Sequence, residues 1–139
     1  MSQKDKKDLY FNVQDKDTEW SFEHKGYTYL IRSNGRHPRA YIVLPEGHEL
    51  EGVYYTDIHL CVHGGLTYCK YEDAGYVIGW DYAHSGDFTN YEGIASRDGK
   101  KWTMEEIKEE AKKAIEEISR LKKFQAEEYY FSEEKLDWR

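Results

Sequence analysis

The sequence predicts an α+β fold: an antiparallel sheet of about five to six strands, covered on one face by a single long C-terminal helix, with a C-terminal arm. Three observations predict it. Between Trp20 and Ala83 apolar residues recur mostly with period two, and Gly, Pro and Asn punctuate the runs. From Thr103 the period lengthens to that of a helix with an apolar stripe. A chain of 139 residues is the usual size of one domain and buries a core without disulfides or a structural metal.

Residues 1–18 alternate Lys and Asp with few apolar side chains and read as a charged lead-in, or as an arm that orders on a partner, with Tyr10, Phe11 and Val13 to anchor its end. The single α+β domain is then expected over 19–123. Trp20, Phe22 and His24, the pair Lys25-Gly26, then Tyr27, Tyr29 and Ile31 form a hairpin pattern. Residues 33–39, SNGRHPR, are dense in turn formers and gather Arg36, His37 and Arg39. Ala40 to Leu44 is a β-branched run stopped by Pro45.

Residues 57–63 alternate strictly, Ile58, Leu60 and Val62 to one side and Asp57, His59, Cys61 and His63 to the other, which predicts a strand. Gly64-Gly65 permits a tight reversal, after which Leu66 to Tyr71 is expected to return antiparallel to it. Tyr76 to Ala83 supplies a further strand, in which Gly79 marks a bulge or a close backbone approach. The segment from His84 to Lys101 is polar, Gly-containing and long for a connection, and such loops are often functional.

The helix is signalled most strongly. Thr103 and Glu106 make a capping box, Trp102 can staple onto Ile107, and Ile107, Ala111, Ala114, Ile115, Ile118 and Leu121 form one stripe. Residues 124–139 carry Tyr129, Tyr130, Phe131 and Trp138. They read as an arm or short helix whose aromatics point to oligomer contacts.

Composition narrows the function. A formal charge of −7 opposes duplex binding, which needs a basic stripe. No run approaches the roughly 18 apolar residues of a membrane span, and the N-terminus lacks a signal-peptide core. Cys61 and Cys69 flank one turn and, in a reducing cytosol, are expected as thiols, with pairing across the turn the alternative. Aromatics at 16% suit either a sheet core or a binding surface.

Two constellations carry candidate chemistry. On the first, His59 and His63 share one side but lie roughly 13 Å apart along an extended strand, so they cannot share a metal without help from Asp81, His84 or Asp87. On the second, Gly79 to Asp87, Trp80 and Tyr82 offer faces to stack on a planar group, while Asp81, His84 and Asp87 offer polar edges. Ser85 beside His84 is not a triad, and no P-loop, dinucleotide glycine motif or CxxC pair occurs. An anion would fall to Arg36, Arg39, Lys70, protonated histidines, or the backbone N–H groups of Gly64 and Gly65.

The order Tyr41-Ile42-Val43-Leu44-Pro45-Glu46-Gly47-His48, Asp57-Ile58-His59, Val62-His63-Gly64-Gly65-Leu66-Thr67-Tyr68 and Ile78-Gly79-Trp80-Asp81-Tyr82-Ala83-His84-Ser85-Gly86-Asp87 resembles a small protein family of tailed bacteriophages over about residues 40–120. HGGLT followed by GWDxAHxGD is the distinctive part. The pattern is similar to the phage anti-CBASS sponges, which sequester cyclic oligonucleotide alarm signals. The resemblance implies a homo-oligomer, dimer or tetramer, in the cytoplasm of the infected bacterial host. It would bind a cyclic dinucleotide such as 3′3′-cGAMP without cutting it and without a cofactor. The charged N-terminus and the YYF tail depart from the pattern. The resemblance assigns no contacts, so the expected ligand-binding set is the physical one: Arg39, His63, Gly64, Gly65, Thr67, Trp80, Asp81, Tyr82, His84 and Asp87, with no catalytic residue. The alternatives are a metal-dependent phosphodiester hydrolase using His59, His63, Asp81, His84 or Asp87, and a protein-binding inhibitor of a host defence enzyme.

Overall fold

Lys25 and Gly26 make the first reversal, both with positive φ (51° and 81°), the backbone that matches a two-residue turn to strand twist. The computed structural model describes residues 9–10, 18–91, 94–95 and 99–137, except the side chains of 91, 94, 95 and 121–137. In it the turn joins β1 (Thr18–His24) to β2 (Tyr27–Ser33) with His24 opposite Tyr27. Asn34 Oδ1 accepts the Arg36 N–H (3.1 Å) and Ser33 Oγ the Gly35 N–H (3.0 Å), so side chains hold the turn into β3 (Pro38–Leu44).

The chain then crosses a long connection containing one 3₁₀ turn, Tyr55–Asp57, and reaches the far edge as β4 (Tyr68–Glu72). Asp73 and Ala74 turn it back as β5 (Gly75–Asp81), which pairs with β3. The resulting antiparallel sheet has five strands in the order β1-β2-β3-β5-β4. Asn90–Tyr91 (β6) and Ile94–Ala95 (β7) form a separate ribbon. The helix α1 runs Met104–Asp137, so residues 124–137 fall within its bounds; the tail aromatics expected to make oligomer contacts lie outside the described side chains.

Of the stripe expected of α1, Ile107, Ala111, Ala114, Ile115 and Ile118 are buried, and the Leu121 side chain lies outside the described ones. The stripe packs over β2 and β3, where Tyr29, Ile31, Ala40 and Ile42 alternate toward it. Thr103 and Glu106 form the capping box, with Glu106 N–H on Thr103 Oγ1 (3.2 Å) and Thr103 N–H on Glu106 Oε1 (2.9 Å). At the other end of the chain Leu9 and Tyr10 are buried in the same core.

Residues 57–63 correct the sequence reading. They form no strand, and β4 pairs with β5 instead of returning against them. The alternation survives as burial, since Ile58 and Val62 face the core while His59 and Cys61 are exposed. Period two reports a two-sided environment and not a ladder. Part of the missing ladder is replaced by α1, because the His63 backbone N–H donates to Glu110 Oε2 (3.0 Å). Gly79 is a close approach in an unbroken register: a Cβ there would sit 2.4 Å from the Tyr41 ring.

The sheet curls. β2 and β4 are separated by β3 and β5, three spacings of about 4.8 Å. Arg32 on β2 nevertheless reaches Glu72 on β4 at 2.8 Å, which strong twist allows by raising opposite corners over one face. Beneath that contact lies a second apolar cluster of Leu30, Tyr41, Val43 and Val77.

Candidate functional site

His63, Gly64 and Thr67 of HGGLT meet His84, Asp81 and Asp87 of GWDYAHSGD pair by pair. The Nε2–H of His63 donates to Asp87 Oδ2 (2.8 Å). Gly64, at φ +71°, leaves the space filled by the His84 ring, since a Cβ there would lie 2.2 Å from His84 Nε2. The Thr67 hydroxyl donates to Asp81 Oδ2 (3.1 Å), and its N–H to the Gly79 carbonyl (2.9 Å). Two motifs about twenty residues apart therefore form one unit at the end of the sheet.

Asp87 is the hub. Only 4% exposed, it accepts from His63, from the His84 backbone N–H (2.9 Å) and from the Trp102 indole N–H (2.9 Å). Burial alone would raise its pKa, but these three donors outweigh burial and hold the carboxyl below its usual range. A second chain runs beside it: the Trp80 indole N–H donates to Tyr82 Oη (3.0 Å), and Tyr82 donates to Glu110, which also holds the His63 backbone. Burial, and then the Glu110 carboxylate, push the Tyr82 phenol far above its ordinary pKa. Tyr10 accepts the Trp102 backbone N–H (2.8 Å) and is raised by burial to about 12.

The rings close the unit. His63 stacks on Tyr82 (centroids 5.0 Å, 7° between planes) and meets Trp102 at 4.8 Å and His84 at 5.4 Å. Trp80 and Tyr82 are 1% and 0% exposed, which corrects the expectation that they stack on a ligand: their faces are already packed in the core. The Gly65 N–H, expected to be open to an anion, bonds to the Val62 carbonyl (2.9 Å). His84 Nε2 lies 3.2 Å from Asp81 Oδ1 without hydrogen-bond alignment.

What remains partly exposed is the outer rim, made of Asp81, His84, Thr67 and Gly64. Arg39 stands directly across from Asp81 on β3. His59 is exposed and outside the unit, and among the described residues no three of His, Cys, Asp or Glu are arranged to hold a metal ion. Sequence reasoning gave Trp102 only as a helix staple and Tyr10 only as an anchor for the arm, and it missed Glu110. Glu110 carried a signal, an acidic residue bordering the apolar stripe beside Ala111. No family model, curated protein or solved structure matches the chain, and no helix among the described residues is long and apolar enough to cross a membrane.

Proposed function

We propose that this protein binds a small cyclic nucleotide and holds it intact. In the cell it would be a phage sponge that removes a cyclic dinucleotide signal of CBASS defence from the cytoplasm of the infected bacterium. The observation that carries the reading is the fusion of the two resemblance-bearing motifs into one buttressed unit. The polar groups of its interior, His63, Asp87, Tyr82 and Glu110, are committed to one another, which supports presentation of a fixed rim.

The rim chemistry is compatible with a purine nucleotide. Asp81 is half-buried and already oriented by the Thr67 hydroxyl and the Ala83 N–H (3.1 Å), leaving acceptor capacity for the N–H edge of a base. Arg39, one strand away, supplies a guanidinium for a phosphate. Three carboxylates in the unit, Asp81, Asp87 and Glu110, weigh against a highly charged anion and favour a diester.

The test is recovery. Purified protein mixed with 3′3′-cGAMP should deplete the free ligand, and heat denaturation should return it unchanged by mass spectrometry. Recovery of a linear dinucleotide would establish a hydrolase instead. Undiminished free ligand across a panel of cyclic nucleotides would reject nucleotide binding altogether.

A further inference from the structure

The motif rim leads, strand by strand, onto the curled face of the sheet. Glu19, Arg32, Arg39 and Asp81 stand opposite one another across β1, β2, β3 and β5, so their side chains share the face away from α1. On that face lies a groove of about 660 Å³, walled by β1 and β2 on one side and by β4 and its turn on the other. That volume falls within the usual range for small-molecule sites.

We propose that this groove seats the second half of a cyclic dinucleotide whose first half rests on the Asp81 and Arg39 rim, with Lys70 and Arg32 on its second phosphodiester and Leu30 beneath its second base; the assignment rests on the nucleotide-binding reading above. Arg32 is held in advance of any ligand. Its guanidinium lies 4.5 Å over the Tyr41 ring and is gripped by Glu72 through both terminal nitrogens (2.8 and 3.4 Å). Its Nε–H points instead to Glu19 (2.8 Å), whose side chain is 48% exposed. Exposed pairs of that kind contribute little, so the Glu19 bond is the exchangeable one. A phosphate oxygen taking that place meets a donor already aimed.

Lys70, exposed on the opposite wall, has no ion-pair partner among the described residues, and its charge is felt at Glu72. The Ser21 and Thr28 hydroxyls line the same groove. The carboxylates define the ligand's charge. Glu72 is satisfied by Arg32 and by the Tyr68 hydroxyl (2.6 Å), but Asp73 also lines the wall. With Glu19 counted, three carboxylates face Arg32 and Lys70 across the groove, so a phosphodiester, with one charge on its phosphate, is tolerated better than a doubly charged terminal phosphate.

Titration calorimetry of the full chain with 3′3′-cGAMP tests this. Lys70→Ala should weaken binding about tenfold, the loss of one charge-assisted contact, with an unchanged melting temperature. Lys113→Ala, on the helix side, should leave affinity unchanged, and the linear 5′-phosphorylated dinucleotide should bind more weakly than the cyclic one. Wild-type binding that Lys70→Ala and Thr28→Ala both leave intact would overturn the groove assignment alone. No binding by the wild type to any cyclic dinucleotide would overturn the nucleotide reading, and the groove assignment with it.

Discussion

One sheet carries two faces that are closed by opposite means. Toward α1 the seal is apolar, Ile107, Ala111 and Ile115 against Ile31 and Ile42, all 0% exposed and none in need of a partner. On the curled face four apolar residues are shielded by charge: Arg32 on Tyr41, gripped by Glu72, with Tyr68 behind. The difference teaches where this molecule can exchange contacts. An apolar seal has no group that a polar ligand can replace, whereas an ion pair at a groove can trade one oxygen for another.

The largest expected effect breaks the apolar seal. Ile115→Ala should cost about 3 to 4 kcal/mol in urea unfolding, since helix and sheet collapse poorly onto a cavity. Leu30→Ala on the curled face should cost about 2 kcal/mol or less, because the long side chains of Arg32, Lys70 and Tyr68 can settle into the gap. Equal losses would mean that the two faces are packed alike.

Next is the hub that ties the motif unit to the helix side. Asp87→Ala strands the His84 and Trp102 N–H groups and should cost about 2 to 3 kcal/mol. Its pH dependence has a definite sign. The folded carboxyl sits below its unfolded value, so its contribution is fully present above about pH 4 and fades as pH falls through the folded pKa. Wild type should therefore lose stability more steeply on acidification than Asp87→Ala. Parallel acid limbs would show that the hub contributes nothing through its charge.

These two regions also differ in how far the sequence revealed them. The helix was legible because its cap and stripe are local, from Thr103 to Ile118, and the Lys25-Gly26 hairpin because its turn chemistry is local too. The motif unit was half legible. His63, Asp81, His84 and Asp87 stood out as polar residues at regular spacing, but whether Trp80 and Tyr82 faced a ligand or the core depended on packing that neighbouring elements impose. The 57–63 segment misled because alternation records burial without naming the hydrogen-bond partner. The Arg32–Glu72 contact was invisible, since the residues are 40 apart and meet only through accumulated twist.

A double-mutant cycle on that contact isolates the polar seal. Arg32→Met and Glu72→Gln should couple by about 1 to 2 kcal/mol, below a fully buried pair because each side chain keeps about a fifth of its exposure. Coupling near zero would mean that the curl is held by something other than this pair.

Tyr68→Phe is the finest probe, at about 1 kcal/mol. The phenol hydroxyl donates to Glu72 Oε2 while the ring packs edge-on to Tyr41 at 5.2 Å, and the substitution removes the first contact and keeps the second. Glu72 is held below the usual carboxylate range chiefly by Arg32, with Tyr68 assisting. The hydroxyl should therefore matter only while Glu72 is charged. In the wild-type background the loss should shrink as pH falls through the depressed Glu72 pKa, and in a Glu72→Gln background it should be smaller at every pH. A pH-independent loss of the same size in both backgrounds would mean that the hydroxyl acts through something other than Glu72, leaving Arg32 as the sole polar tie to that carboxylate across the face.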